Sequence, residues 1–74
     1  METTKLGRYR HYKGQEYEVI GVAKHSETEE YVVVYKALYG EFGLWVRPYE
    51  MFFEQVQQGD QRVPRFAYVG PPTT

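Results

Sequence analysis

The sequence predicts an all-β fold, a small five-stranded barrel with one short helical turn before the last strands. Three observations carry this expectation. Apolar and polar residues alternate with a period of two along nearly the whole chain, turn residues recur at hairpin spacing, and only Tyr49–Phe53 reads as helical, at a length that allows a single turn. The elements follow in order.

Leu6–Tyr12 reads as the first strand, with Lys13-Gly14 as its turn, because glycine reaches the positive φ that a tight hairpin requires. Glu16–Lys24 is the second strand. Tyr17, Val19 and Ala23 are expected to point inward and Glu16, Glu18 and Lys24 outward, while Ile20 and Val22 break the alternation around Gly21 and suggest a bulge or bend. His25–Glu29 is a polar loop whose hydroxyls can bond nearby amides. Glu30–Tyr39 is the longest strand and, with Tyr31-Val32-Val33-Val34-Tyr35 apolar on both faces, the central one.

The next turn sets a register. Gly40-Glu41-Phe42-Gly43 suits a type I turn at Glu41 and Phe42 with Gly43 left-handed, the three-residue hairpin loop with its bulge. That loop places Tyr39 opposite Trp45, Leu38 opposite Val46 and Ala37 opposite Arg47. One face then carries Val32, Val34, Leu38, Leu44 and Val46, which is read as the core; the other carries Tyr35, Tyr39, Trp45 and Arg47. A two-residue turn would set Arg47 against Lys36, a like-charge pair that costs stability.

Pro48 can open a helical turn, since its missing amide and fixed φ are tolerated at the first helical position. Met51 and Phe52 are expected to plug the open end of the barrel. Phe53–Gln57 resumes extended structure, Gln58-Gly59-Asp60-Gln61 turns, and Arg62–Val69 forms a last strand in which Pro64 implies an edge position. Five strands with a helical turn before the last describe an SH3-like or OB-like barrel. The domain is expected over residues 5–69, with residues 1–4 and 70–74 disordered.

Composition narrows the function. With 74 residues and no cysteine, the chain is one domain that must be held by packing, and 18% aromatic residues supply the buried area. The longest apolar run is far short of the roughly 20 residues that span a bilayer, and Met1–Lys5 lacks the apolar stretch of a signal peptide, so a soluble cytoplasmic monomer is expected, away from the membrane. Net charge is −1, without the basic excess usual in nucleic-acid domains. Residues 1–14 nevertheless carry Lys5, Arg8, Arg10 and Lys13 against Glu2, and residues 15–30 carry five glutamates against Lys24. Neighbouring strands whose opposite charges pair across the ladder account for that split.

The series Tyr9–Gly14, Tyr17–Ala23, His25–Thr28, Leu38-Tyr39-Gly40, Gly43–Pro48, Met51-Phe52 and Val63–Phe66 resembles the bacterial family DUF1653 over about Gly7–Phe66. The resemblance implies a compact SH3-like barrel. It implies no activity, because that family has none assigned, and chemistry must be argued from residues.

No catalytic or metal constellation stands out. The lone serine, Ser26, adjoins His25 on a loop, and sequence neighbours rarely reach triad geometry. His11 and His25 lie on different elements without ligand spacing, and Gly40 and Gly43 belong to a hairpin rather than a phosphate-cradling loop. No enzyme activity, cofactor or metal is therefore expected.

A binding module fits better. Tyr35, Tyr39 and Trp45 with Arg47 compose a flat aromatic surface with a bidentate cation, which can grip a carboxylate or phosphate, and His25 can reach it if its loop folds over. A protein or peptide partner is expected, either across this strip or at the edge near Pro64. The competing function is an RNA or single-strand binder in which Tyr39 and Trp45 stack bases while Arg8, Arg10, Lys13 and Arg47 track phosphates. In the purely structural alternative, Trp45 is covered by the first strand and Arg47 stacks on it.

Overall fold

The computed structural model describes residues 4–72. Among them, seven strands and one helical turn follow in order: β1 (Gly7–His11), β2 (Glu16–Lys24), β3 (Tyr31–Ala37), β4 (Leu44–Pro48), α1 (Tyr49–Phe52), β5 (Gln55–Gln58), β6 (Gln61–Pro64) and β7 (Phe66–Gly70). The all-β class holds. The barrel does not close: β4-β3-β2-β1-β7 form an open antiparallel sheet, with β5-β6 as a separate hairpin. The chain leaves β4 at Pro48, which has no N–H to offer, turns through α1, and returns beside β1 on the far side of the sheet. Edges β4 and β7 therefore stay apart.

Several boundaries differ from expectation. The single last strand is two, broken at Arg65, whose N–H donates to the Glu54 carbonyl and whose own carbonyl accepts from Tyr12 N–H, both at 2.9 Å. Pro64 does lie in a strand with an open edge. Pro48 caps α1 with φ −51° and ψ 139° rather than occupying its first helical position. Residues 1–3 and 73–74, within the termini expected to be disordered, lie outside the described residues. Gly70, by contrast, closes β7, and the Pro71 carbonyl accepts from Arg8 Nε at 3.2 Å.

The bulge near Gly21 is present. Tyr17 pairs with Ala37 and Val19 with Tyr35, but the register shifts before Gly21, which lies opposite Val34. Ile20 is the inserted residue. Its insertion inverts the alternation beyond it, so Ala23 pairs with Val32 and is exposed instead of pointing inward.

The β3–β4 register is the larger correction. Trp45 lies opposite Tyr35, Val46 opposite Val34 and Arg47 opposite Val33, so that each β4 residue pairs four positions earlier in β3 than expected. Leu38 N–H donates to the Glu16 carbonyl at 3.0 Å, which keeps this end of β3 with β2 and lengthens the loop to β4. Within that loop Gly40 and Phe42, rather than Gly43, take positive φ, and Phe42 N–H donates to the Tyr39 carbonyl at 3.1 Å. A shift of four is even, so the same side chains still share a face.

Which face is buried is reversed. Val33, Tyr35 and Ala37 are buried, whereas Leu44 and Val46 of the expected core are 66% and 61% exposed. The reason lies outside the hairpin. Tyr9 and Phe66 face the same side as Tyr35, and α1 lays Phe52 on it, stacked on Phe66 at 4.0 Å between ring centroids and 2° between planes. The opposite side of β1 and β2 carries Arg8, Arg10, Glu16 and Glu18, which keep water. Each large side chain buried on the inner face contributes about 1.5–3 kcal/mol. Phe52 is fully buried while Met51 is exposed, so one residue of the expected pair fills the core and the other does not.

Opposite charges do pair across β1 and β2. Glu16 receives Arg10 at 2.7 Å and Arg8 at 3.8 Å on the outer face. Among the described residues, no helix is long and apolar enough to cross a membrane.

A candidate binding face at the β4 edge

The inner face of the sheet is aromatic, and toward the β3–β4 loop it becomes polar. Tyr17 packs edge-on against Tyr35, Tyr39 and Phe66, and the Tyr17 and Tyr39 hydroxyls lie 2.8 Å apart. Arg47 donates from Nε to the Tyr35 hydroxyl at 3.4 Å, a long contact, and its Cζ lies 5.7 Å from the Phe66 ring centre. Phe52 covers one side of that ring, which leaves the other for the guanidinium. His11 meets the same ring at 4.9 Å.

Four of the five expected residues converge here. Tyr35 is buried and contributes its hydroxyl, Arg47 is half-buried, Tyr39 is exposed and Trp45 is 57% exposed. Trp45 and Tyr39, with Ala37, Gly40, Glu41 and Gly43, line a cleft of about 430 Å³. Trp45 is not covered by β1, and Arg47 stacks on Phe66 rather than on Trp45. His25 does not join them. It follows β2 at the Tyr31 end of β3, where its Nδ1 accepts from Glu27 N–H at 3.1 Å and Thr28 N–H at 3.3 Å. A second cleft, of about 250 Å³ between Tyr31, Tyr49, Glu30, Glu50 and Pro48, lies at the opposite end of β4.

Sequence reasoning missed His11, Tyr17 and Phe66 as parts of this face. Alternation from Tyr9 carries His11 inward, and the Lys13-Gly14 hairpin sets Tyr9 opposite Tyr17. Phe66 had no local signal, since only the β1–β7 pairing places it opposite His11.

The electrostatics are those of a donor-rich site. Burial lowers the His11 pKa, and the nearby charges of Arg47, Arg65 and Lys13 lower it further. Burial is also the chief reason the Tyr17 hydroxyl is pushed up to about 12, with the Tyr39 hydrogen bond next and Arg47 acting in the opposite direction. Ion pairs join Arg8 and Arg10 to Glu16 and Arg65 to Glu54, and Arg47 belongs to none of these.

The backbone beside this face is unpaired. The bond from Ala37 N–H to the Gly43 carbonyl, with the register, makes 37/43, 35/45 and 33/47 the hydrogen-bonded pairs of the ladder. The N–H groups of Leu44 and Val46 consequently point out from the sheet edge. Leu44, Trp45 and Val46 are all more than half exposed, so an apolar strand with free donors borders the aromatic cleft.

No curated protein shows a significant match to this chain. A crystal structure of a DUF1653 protein from Bordetella bronchiseptica is similar to it, with a TM-score of 0.86 and 44% identity over 96% of this chain and 94% of that one. The model of the DUF1653 family, described as a protein of unknown function, matches residues 7–68. With most of its length matched and the fold shared, the chain belongs to the DUF1653 family.

Proposed function

We propose that this protein is a non-catalytic binding module that receives an extended polypeptide along β4. The observation that carries this reading is the exposed edge of β4, where the outward N–H groups of Leu44 and Val46 border the Tyr39–Trp45 cleft. A strand added there completes backbone hydrogen bonds that the sheet leaves open, and its inward side chains meet Trp45 and Arg47. Tyrosine and tryptophan anchor such contacts at low side-chain entropy. Affinity then comes from the backbone and specificity from the aromatic face.

Nucleic acid fits this geometry less well. Arg8 and Arg10, which would have to follow phosphates beside Tyr39 and Trp45, project from the other side of the sheet and are held by Glu16. A phosphate-tracking groove needs its cations beside its stacking platforms.

Peptide display against the intact protein tests the proposal. Recovered binders should lose at least about tenfold in affinity for Trp45→Ala and for Val46→Pro, since about 1.4 kcal/mol is tenfold. Proline at 46 removes an outward donor without breaking a bond to β3, so both variants should keep the wild-type circular dichroism. Binders indifferent to both changes would refute it.

A further inference from the structure

We infer that the polypeptide received by β4 carries an acidic side chain that is gripped by Arg47, with a large apolar residue two positions away on Trp45. This rests on the strand-addition reading and specifies its ligand. The argument starts from unmatched charge. Arg47 is half-buried, its Nε is directed at the Tyr35 hydroxyl, and the ion pairs among the described residues, Arg8 and Arg10 with Glu16 and Arg65 with Glu54, leave it without a carboxylate. No Asp or Glu occupies an inward position of the five-stranded sheet: Glu16 and Glu18 face outward. Glu54 is tied to Arg65, and Glu41 lies across the Trp45 cleft without reaching Arg47 as an ion pair.

Donors gather around the same point. His11 Nδ1 accepts from Lys13 N–H at 3.2 Å, which places the neutral ring's proton on Nε2. Of the Tyr17–Tyr39 hydroxyl pair, one donates to the other and the second keeps a proton to give. His11 and Arg47 rest on one ring, Phe66. A planar guanidinium with its outer fork open suits a carboxylate, accepted through two parallel bonds.

Strand geometry supplies the spacing. In an antiparallel or parallel strand added to β4, the residue beside Arg47 lies on the inner face, and its neighbour two positions on lies beside Trp45. Acid and anchor are thus separated by one outward residue. A phosphate-bearing polymer would need a row of free cations, and Arg8 and Arg10 are committed to Glu16 on the other face.

The capped peptide Ac-Trp-Val-Glu-Val-Trp-NH₂ serves as probe because it reads alike in both strand directions. Titration into the intact protein, followed by amide and imidazole NMR, should shift Leu44, Val46 and His11 saturably. Replacing its glutamate by glutamine should weaken binding about tenfold; Arg47→Gln should weaken the glutamate peptide about tenfold and leave the glutamine peptide unchanged. The His11 pKa should rise in the glutamate complex. Equal binding of the two peptides, or equal loss of both in Arg47→Gln, would overturn the acidic assignment while leaving strand addition intact. Absence of any shift at Leu44 and Val46 with either peptide would overturn both. Inorganic phosphate shifting His11 more strongly than acetate at equal ionic strength would assign the site to phosphate and refute the proposal.

Discussion

The hydroxyls of Tyr17 and Tyr39 stand 2.8 Å apart, joining a ring packed against Tyr35 and Phe66 to one that lines the open cleft beside Trp45. The core and the candidate face are therefore one aromatic network. Changes at the rim should be felt inside.

Replacing Tyr39 by phenylalanine removes that bond and the hydroxyl charge that disfavours ionisation of Tyr17. The Tyr17 pKa should fall from about 12, yet stay above the ordinary tyrosine value of 10, because burial is the larger cause. Ultraviolet difference titration of wild type and Tyr39→Phe measures it. Unchanged titration would mean that the hydrogen bond contributes nothing.

Tyr17 also sets an alkaline limit on stability. Its folded pKa is raised, so the unfolded chain releases the proton first; stability is intact below pH 10 and declines as pH rises from 10 toward 12. Tyr9, raised chiefly by burial, acts in the same direction. Urea unfolding across this window should show the decline, and Tyr17→Phe should make it shallower.

His11 acts at the other end of the scale. Its folded pKa is lowered, so below pH 6.5 the unfolded chain takes up the proton first and stability decreases as pH falls. In Arg47→Gln the His11 pKa should rise without reaching 6.5, since burial remains the first cause and Arg65 and Lys13 stay in place. Imidazole NMR titration reads this shift.

The Phe52–Phe66 stack is the energetic centre. Phe52 is fully buried, and Phe52→Ala should cost about 3–5 kcal/mol. Small domains hold only about 5–15 kcal/mol in total, so the variant should be partly or wholly unfolded near 37 °C by circular dichroism. Trp45→Ala, at an exposed ring, should change stability far less.

Glycines at the β1–β7 seam separate by backbone geometry. Gly7 has φ +137°, and a Cβ there would meet the Gly70 carbonyl oxygen at 2.5 Å, whereas a Cβ on Gly70 would meet the movable end of Arg8. Gly7→Ala should lower stability by at least about 1–3 kcal/mol and Gly70→Ala by much less. Thermal melts of the two variants, with Gly21→Ala as an unobstructed control, measure the difference.

Local chemistry made much of the fold legible. Alternation and turn residues specify β2 to its ends, the bulge at Ile20-Gly21, the short helical turn after Pro48, and the shared face of Tyr35, Trp45 and Arg47. The loop after β3 is longer than its glycine spacing implies because Leu38 bonds to Glu16, a partner more than twenty residues away that local pattern does not reveal. Ala23 is outside rather than inside because the bulge inverts the alternation for every residue of β2 beyond it.

By itself, then, the sequence determined β2, its bend and the two sets of side chains on the β3–β4 hairpin. Tertiary structure decided which set is inside. Tyr31–Tyr35 is apolar on both faces, so a period of two cannot choose between them. The choice falls to Tyr9, Phe52 and Phe66, which arrive from β1, α1 and β7, and whose burial outweighs that of Leu44 and Val46. Closing the core on the Tyr35 side leaves Trp45 at the rim and Arg47 against Phe66, beside a sheet edge that is still open.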